Sequence, residues 1–418
     1  MKVYLITILV LCIYTHFSLA QQDINYDESK VPIYALPELL VLENGKKVTK
    51  KKQWMRYRRP KVLEVFSSQM YGRTPKDDIQ VYYETLTENS NDLNGRATSK
   101  QVRFTFTNGE KNIEAILLMY TPNKTHGKVP FFIGYNFKGN HSTSFDTTIL
   151  YSPSLHLVKE PTHPDWERGC QVNRWPFEEI IDRGYGVATM CYHDIFPDKE
   201  GLKDHSIVSL FPDYDPNLSS SDEWQAIGAW AWGSSRIVDY LETQKYIDRK
   251  KIAIMGHSRQ GKAALWAGAQ DTRLRIVIAN NSGSGGAALS KRQFGETIDR
   301  VTSIKPAWFC PAMRQYANNE ANLPFDQHWL IALNAPRPVY IASAEEDLWA
   351  DPKGEFLSAY HAGPVYELFG LSGIGSNVPP RIHQPIMKDV GYHIRAGKHD
   401  VTLYDWTCFM DFADLHFN

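Results

Sequence analysis

No Cys-x-x-Cys pair and no His-Glu-x-x-His run occurs in this chain, so the sequence offers no zinc ribbon, no zincin helix and no support for a metal site. Beyond residue 20 no apolar run reaches the roughly 18 residues that a membrane-spanning helix needs. An excess of one charge is missing as well: 46 basic side chains stand against 47 acidic ones. That balance argues against nucleic acid or a membrane as a partner. Internal repeats, low-complexity tracts and obvious linkers are also absent, which leaves no place to divide the chain.

What is present begins with an export signal. Lys2 gives the positive end, Tyr4 to Tyr14 the apolar core, and Ser18-Leu19-Ala20 the small-residue cleavage site before Gln21. Cys12 lies inside this signal, and Leu11 before it argues against a lipoprotein. Residues 1–20 are therefore expected to be removed. The rest, 21–418, is expected to act as one soluble domain in the periplasm or outside the cell. Loss of Lys2 leaves 45 basic against 47 acidic side chains. Four of the 5 cysteines remain, namely Cys170, Cys191, Cys310 and Cys408. An even number in an exported protein permits two disulfides, and chain order favours Cys170–Cys191 and Cys310–Cys408; buried free thiols are the alternative. The basic run Lys46-Lys47, Lys50-Lys51-Lys52, Arg56, Arg58 and Arg59 reads as a solvated face. The 11 tryptophans are many; single rings usually pack in a core, but some are expected on a binding surface.

Near the N-terminus one helical stretch is predicted around Pro60–Tyr71. Three alternating segments come next, through Val81–Thr85, Val102–Phe106 and Ile113–Leu118, with the turn signal Asn108-Gly109 between the last two. These predict antiparallel edge strands. From there apolar strands alternate with helices. Strands are expected at Val129–Ile133, Gly186–Cys191, Ile252–Met255, Ile276–Ile278, Pro338–Ala342 and Tyr392–Arg395, and helices at Pro176–Arg183, Asp222–Leu241 and Lys262–Gln270. The pattern predicts an α/β fold with a mostly parallel sheet covered on both faces.

Gly256-His257-Ser258 falls between the strand at Ile252–Met255 and the helix after it. A serine at a sharp strand-to-helix turn is lifted above the sheet, where it can act as a nucleophile. A hydroxyl needs a base to take its proton, and a histidine base needs a carboxylate to orient it. His399, in a glycine-bearing loop after the last strand, is the candidate base. Glu345-Glu346-Asp347 comes after a late strand and offers three acids, of which Asp347 ranks first and Glu346 second. The serine turn departs from Gly-x-Ser-x-Gly: Gln260 holds the second glycine position and Gly261 comes one later. Read blandly, the serine would only cap a helix. His257 is expected to matter through its backbone, His141 and His328 to be structural, and Trp308 to be core.

Gly256–Lys262, continued by Ala264-Leu265-Trp266-Ala267, resembles the glucuronoyl esterase family of carbohydrate esterases. The likeness extends over most of the mature chain, through Gly134–His141, Arg174-Trp175-Pro176, Ala229–Gly233, Ser282–Ala287, Asp326-Gln327-His328 and Ala335–Pro338. The resemblance implies an α/β-hydrolase, a three-layer α/β/α sandwich, acting on esters of glucuronic acid without a cofactor. It implies that Arg259 helps to hold the oxyanion and that Lys262, Glu296 and Trp349 meet the sugar. One departure stands out. Many members carry the triad glutamate directly before the Ser-Gly-x-Gly-Gly run, where this chain has Asn281; the acid is therefore assigned to Asp347, as in members that take it from the later strand end.

The resulting expectation is a monomeric serine esterase with Ser258, His399, Asp347 and Arg259 as its catalytic set. Its partner would be a polymer, glucuronoxylan esterified to lignin alcohols. An acetyl xylan esterase on the same scaffold and a non-catalytic carbohydrate-binding protein are the rival readings.

Overall fold

Successive side chains of the central strands enter opposite cores, as the two-residue period of a strand requires. Ile252, Ile254, Val277, Ala279, Val339 and Ile341 lie in one apolar cluster, while their neighbours Ala253, Met255, Ile276, Ile278, Tyr340 and Ala342 lie in a second. Both faces of these central strands are therefore buried. A computed structural model describes residues 24–76, 79–158, 166–212, 214–215 and 219–417. The expected leader, 1–20, lies outside them.

Among the described residues the sheet has nine strands: β1 (Gln80–Asn91), β2 (Ala97–Thr107), β3 (Asn112–Pro122), β4 (Val129–Asn136), β5 (Gly186–Cys191), β6 (Ile247–His257), β7 (Ile276–Asn280), β8 (Val339–Ala344) and β9 (Val390–Arg395). Their spatial order is β1-β2-β3-β5-β4-β6-β7-β8-β9. β1, β2, β3 and β5 pair antiparallel in succession, and every pairing from β5 through β9 is parallel. This is the α/β arrangement that the alternation predicted, and the Asn108-Gly109 turn joins β2 to β3.

Eight helices shape the two cores and the site: α1 (Arg59–Phe66), α2 (Phe177–Asp182), α3 (Ala226–Thr243), α4 (Arg259–Gln270), α5 (Ile298–Ile304), α6 (Gln327–Ala332), α7 (Pro352–Glu367) and α8 (Leu403–His416). Side chains of α1, α3, α4, α6 and α7 fill the first core, and those of α2 and α8 fill the second, giving three layers. α3 is buried almost all round, with Trp230 and Trp232 among its buried residues. Among the described residues no helix is long and apolar enough to cross a membrane.

Three expectations need correction. The helical run near α1 begins at Lys51 and continues to Tyr71 through π-helical turns at Trp54–Arg58 and Ser67–Tyr71. Its basic face is not wholly solvated. Arg58 is buried and donates to the carbonyls of Leu39 and Glu38, and Arg59 donates to those of Leu333 and Ala269. Neither proposed disulfide forms: Cys191, Cys310 and Cys408 are free thiols, each buried, which is the alternative the sequence left open. Cys191 ends the central strand β5. Cys408 lies in the core under α8, while Cys310 donates to the carbonyl of Ser68 near α1. Burial pushes the Cys310 and Cys408 thiols up to about 11.

Candidate active site

Ser258 joins β6 to α4 with φ 56° and ψ −129°, a backbone that costs a non-glycine residue on the order of 1–3 kcal/mol. The Ser258 N–H donates to Asn280 O at 2.8 Å, and the Gly261 N–H donates to Ser258 O at 2.9 Å. A side chain at Gly256 is impossible, since a Cβ there would lie 1.9 Å from Gln260 O. The predicted strand, turn and helix are thus present, with α4 starting directly after the serine.

The ends of β7, β8 and β9 bring up the other groups. Asp347 Oδ2 lies 2.5 Å from His399 Nδ1 and accepts from Asn281 Nδ2 at 2.7 Å. Burial works to raise the Asp347 pKa, but its bonds to His399 and Asn281 outweigh that and hold the carboxyl below its ordinary range. The loops of Asp347 and His399 are tied by backbone: Glu345 N–H donates to Arg395 O at 2.9 Å and Glu346 N–H to Gly397 O at 3.0 Å. Glu345 and Glu346 themselves are exposed, whereas Asp347 is buried. The His257 ring packs 4.5 Å from that of His399. Burial, and then the neighbouring His399, hold the His257 pKa well below its usual value, so this ring is neutral. The His257 ring thus packs beside His399, a contact that the backbone reading did not include.

Arg259 opens α4. Its guanidinium pairs with the buried carboxylate of Asp198 and lies 4.7 Å over the ring of Trp308. Burial would lower the Arg259 pKa, but Tyr192 and Asp198 raise it. Among the described residues its Nε has no partner. One turn on, Lys262 Nζ pairs with Glu296 Oε2 at 2.7 Å and donates to Ser284 O, deep in the protein. The Glu296 N–H donates to Trp349 O at 2.8 Å.

Two cavities meet at Ser258, Arg259 and His399. One of about 380 Å³ is lined also by Lys262, Glu296, Trp308 and Trp349. The other, about 530 Å³, has walls from Phe137, Trp166, Arg174, Tyr192 and His193. All seven residues expected from the sequence thus gather in one place, at the carboxyl ends of parallel strands where α/β folds hold ligands. Among the described residues no group of three or more His, Cys, Asp and Glu side chains could hold a metal ion.

The sequence reading missed Asp198, while Trp308 packs in the first core as expected and also borders the site. Asp198 lies in an irregular stretch after β5 that shows no periodicity; its place beyond a parallel strand end was the available signal. Trp308 is buried, as expected of core, yet it lines the smaller cavity and its indole donates to Asp198 Oδ1 at 2.8 Å. His141 and His328 are buried and bonded to backbone carbonyls, as expected of structural residues.

A family profile described as "Glucuronyl esterase, fungi" matches residues 215–370. The protein named "Carbohydrate esterase MZ0003", from an unknown prokaryotic organism, is 43% identical over 399 residues, which is 94% of this chain and 92% of that one. A "4-O-methyl-glucuronoyl methylesterase 1" of Wolfiporia cocos is 36% identical over 196 residues, 44% of this chain and 47% of its own. A solved structure described as "Glucuronoyl Esterase from Solibacter usitatus" superposes with a TM-score of 0.87 at 41% identity, covering 93% of this chain and 100% of that one.

Proposed function

This chain belongs to the glucuronoyl esterase family of carboxylic ester hydrolases, and from that premise we propose that it cleaves esters of 4-O-methylglucuronic acid through an acyl-enzyme at Ser258. The observation that carries the reading is the position of Ser258, Arg259 and His399 on the wall shared by two cavities, with His399 already bound to Asp347. His399 uses Nδ1 for Asp347, which leaves Nε2 for the serine. Ser258 Oγ adds to the C6 carbonyl while Nε2 takes its proton, and Asp347 stabilises the imidazolium. The negative charge that builds on the carbonyl oxygen meets the Arg259 guanidinium and the Arg259 backbone N–H. The tetrahedral intermediate collapses, and the alcohol departs with the proton from His399. Water then adds to the acyl carbon by the same route in reverse, releasing glucuronate and restoring Ser258.

The buried Lys262–Glu296 pair and Trp349 suit a hydroxylated ring, since paired charges can accept and donate to neighbouring hydroxyls. The larger cavity, with Phe137, Trp166 and Tyr192, suits an aromatic alcohol, as in an ester between glucuronoxylan and lignin. The chain is proposed to act as a monomer outside the cytoplasm after loss of residues 1–20, with 21–418 as its single domain. Turnover of benzyl glucuronate set beside release of acetate from acetylated xylan tests the reading. Preference for the acetyl ester would replace the substrate, and unchanged turnover by Ser258→Ala would remove the mechanism.

A further inference from the structure

A third cavity, about 490 Å³, lies behind the wall that carries Glu296. Its floor is the segment Gln293 to Thr297, and its opposite side is the N-terminal strap from Ile24 to Pro32. Gly295 and Glu296 are held between the two cavities from both directions. The Gly295 N–H donates to Asn25 O at 2.9 Å on the strap side, and the Glu296 N–H donates to Trp349 O at 2.8 Å on the other. Gly295 has φ +60°, and a Cβ there would lie 2.4 Å from Leu348 O, so nothing larger fits in this partition.

The strap is anchored. Glu28 forms ion pairs with Arg292 and Lys353, Arg292 pairs in turn with Asp351, and the Tyr26 ring meets Phe294 edge-on at 6.3 Å. Tyr26 remains 45% exposed at the cavity wall. Around it stand Lys30, Gln293, Asp299, Arg300 and Asn318, donors and acceptors of both signs. Burial and then the charge of Asp347 raise the Tyr26 pKa, so the phenol is neutral and within electrostatic reach of the site.

We propose that this cavity is a subsite for a neighbouring pyranose of the polymer that carries the glucuronic acid, with Tyr26 as its platform. The inference rests on the function proposed above. A pyranose offers a C–H face and a rim of hydroxyls, which match one exposed aromatic ring set among mixed polar groups. The ester carbon of a bound glucuronate faces Ser258, while its anomeric carbon lies across the ring oxygen. The polymer therefore leaves by another edge, and the Gln293–Thr297 wall has a ready-made cavity behind it.

The test compares kcat/KM for the methyl ester of free 4-O-methylglucuronic acid with that for the same ester linked to xylotriose. The full chain should prefer the linked ester. Tyr26→Ala should lower the ratio of linked to free ester by about fivefold, the size of one aromatic contact, and Asp299→Ala, which removes a hydrogen-bond acceptor from the same cavity, should lower it by a similar factor. The fall should appear mainly in KM for the linked ester. A ratio near one in the parent, or a ratio kept by both variants, overturns the subsite while leaving the esterase reading intact. Hydrolysis of neither ester by the parent overturns the esterase reading itself, and the subsite with it.

Discussion

Asn281 donates its side-chain amide to the same Asp347 oxygen that holds His399, at 2.7 Å. It follows the end of β7, beside Asp347, and supplies a hydrogen bond rather than a charge. Asn281→Asp would set two carboxylates against one another, and one of them would keep a proton to higher pH. The acid limb of kcat/KM against pH should therefore move upward by about one unit. An unmoved limb would show that position 281 is electrically remote from the base.

The three acids after β8 make a sharp comparison. Asp347→Asn should keep the fold and lower kcat by about 10³–10⁴-fold, as loss of the orienting carboxylate does in serine hydrolases. Glu346→Gln, at an exposed side chain, should change kcat by less than about twofold. Steady-state kinetics on benzyl glucuronate decide, and the opposite order would pass the role to Glu346.

Arg259→Ala should reduce kcat by about 10²–10³-fold with little change in KM, because the guanidinium matters most once the oxyanion forms. Arg259→Lys should not restore the rate, since a compact ammonium lacks the planar fork by which separate guanidinium nitrogens can hold Asp198 and face the oxyanion. A lysine variant with parental kcat would mean that charge alone suffices.

Lys262 and Glu296 are almost wholly buried, at 2% and 9% side-chain exposure. Lys262→Met alone strands a carboxylate and should cost about 3–5 kcal/mol of stability. Adding Glu296→Leu should recover most of that loss in thermal unfolding while KM for the methyl ester stays high. Should the double variant melt no higher than the single one, the pair is not the source of the cost.

Glu355 in α7 accepts from the backbone N–H groups of Ser282 and Gly283 and from Ser343 Oγ. Burial pushes its carboxyl up to about 8 despite these bonds. The folded state thus keeps a proton that the unfolded chain releases near 4.5. Between those values the native protein binds more protons, so stability should fall as pH rises through this window. Glu355→Gln should flatten that fall. Parallel melting curves for parent and variant across pH 5–8 would assign the slope to other groups (roughly the span set by the two limits).

Much of this architecture was legible because strands and helices alternate along the chain and each class of site residue falls just past a strand end. Boundaries were less so. α3 begins at Ala226 and not near Asp222, because Asp222 pairs with Arg73 while the Ala226 N–H is taken by Ala307 O. Cysteine parity suggested bridges that do not form: Cys408 packs in the second core, while Cys310 lies against Ser68 near α1. A run of basic residues looked solvated because charge hides the carbonyls that Arg58 and Arg59 reach. The partner of Arg259 escaped notice for a related reason: Asp198 sits 61 positions away in an unpatterned stretch, and only folding puts the two together.

Glycine at position 258 would accept φ 56° with no steric penalty. Replacing the serine would then widen the margin against heat even as it silenced turnover. On the proposed mechanism, durability and chemistry compete within a single peptide unit, so a population screened for heat resistance alone would drift toward glycine at this turn.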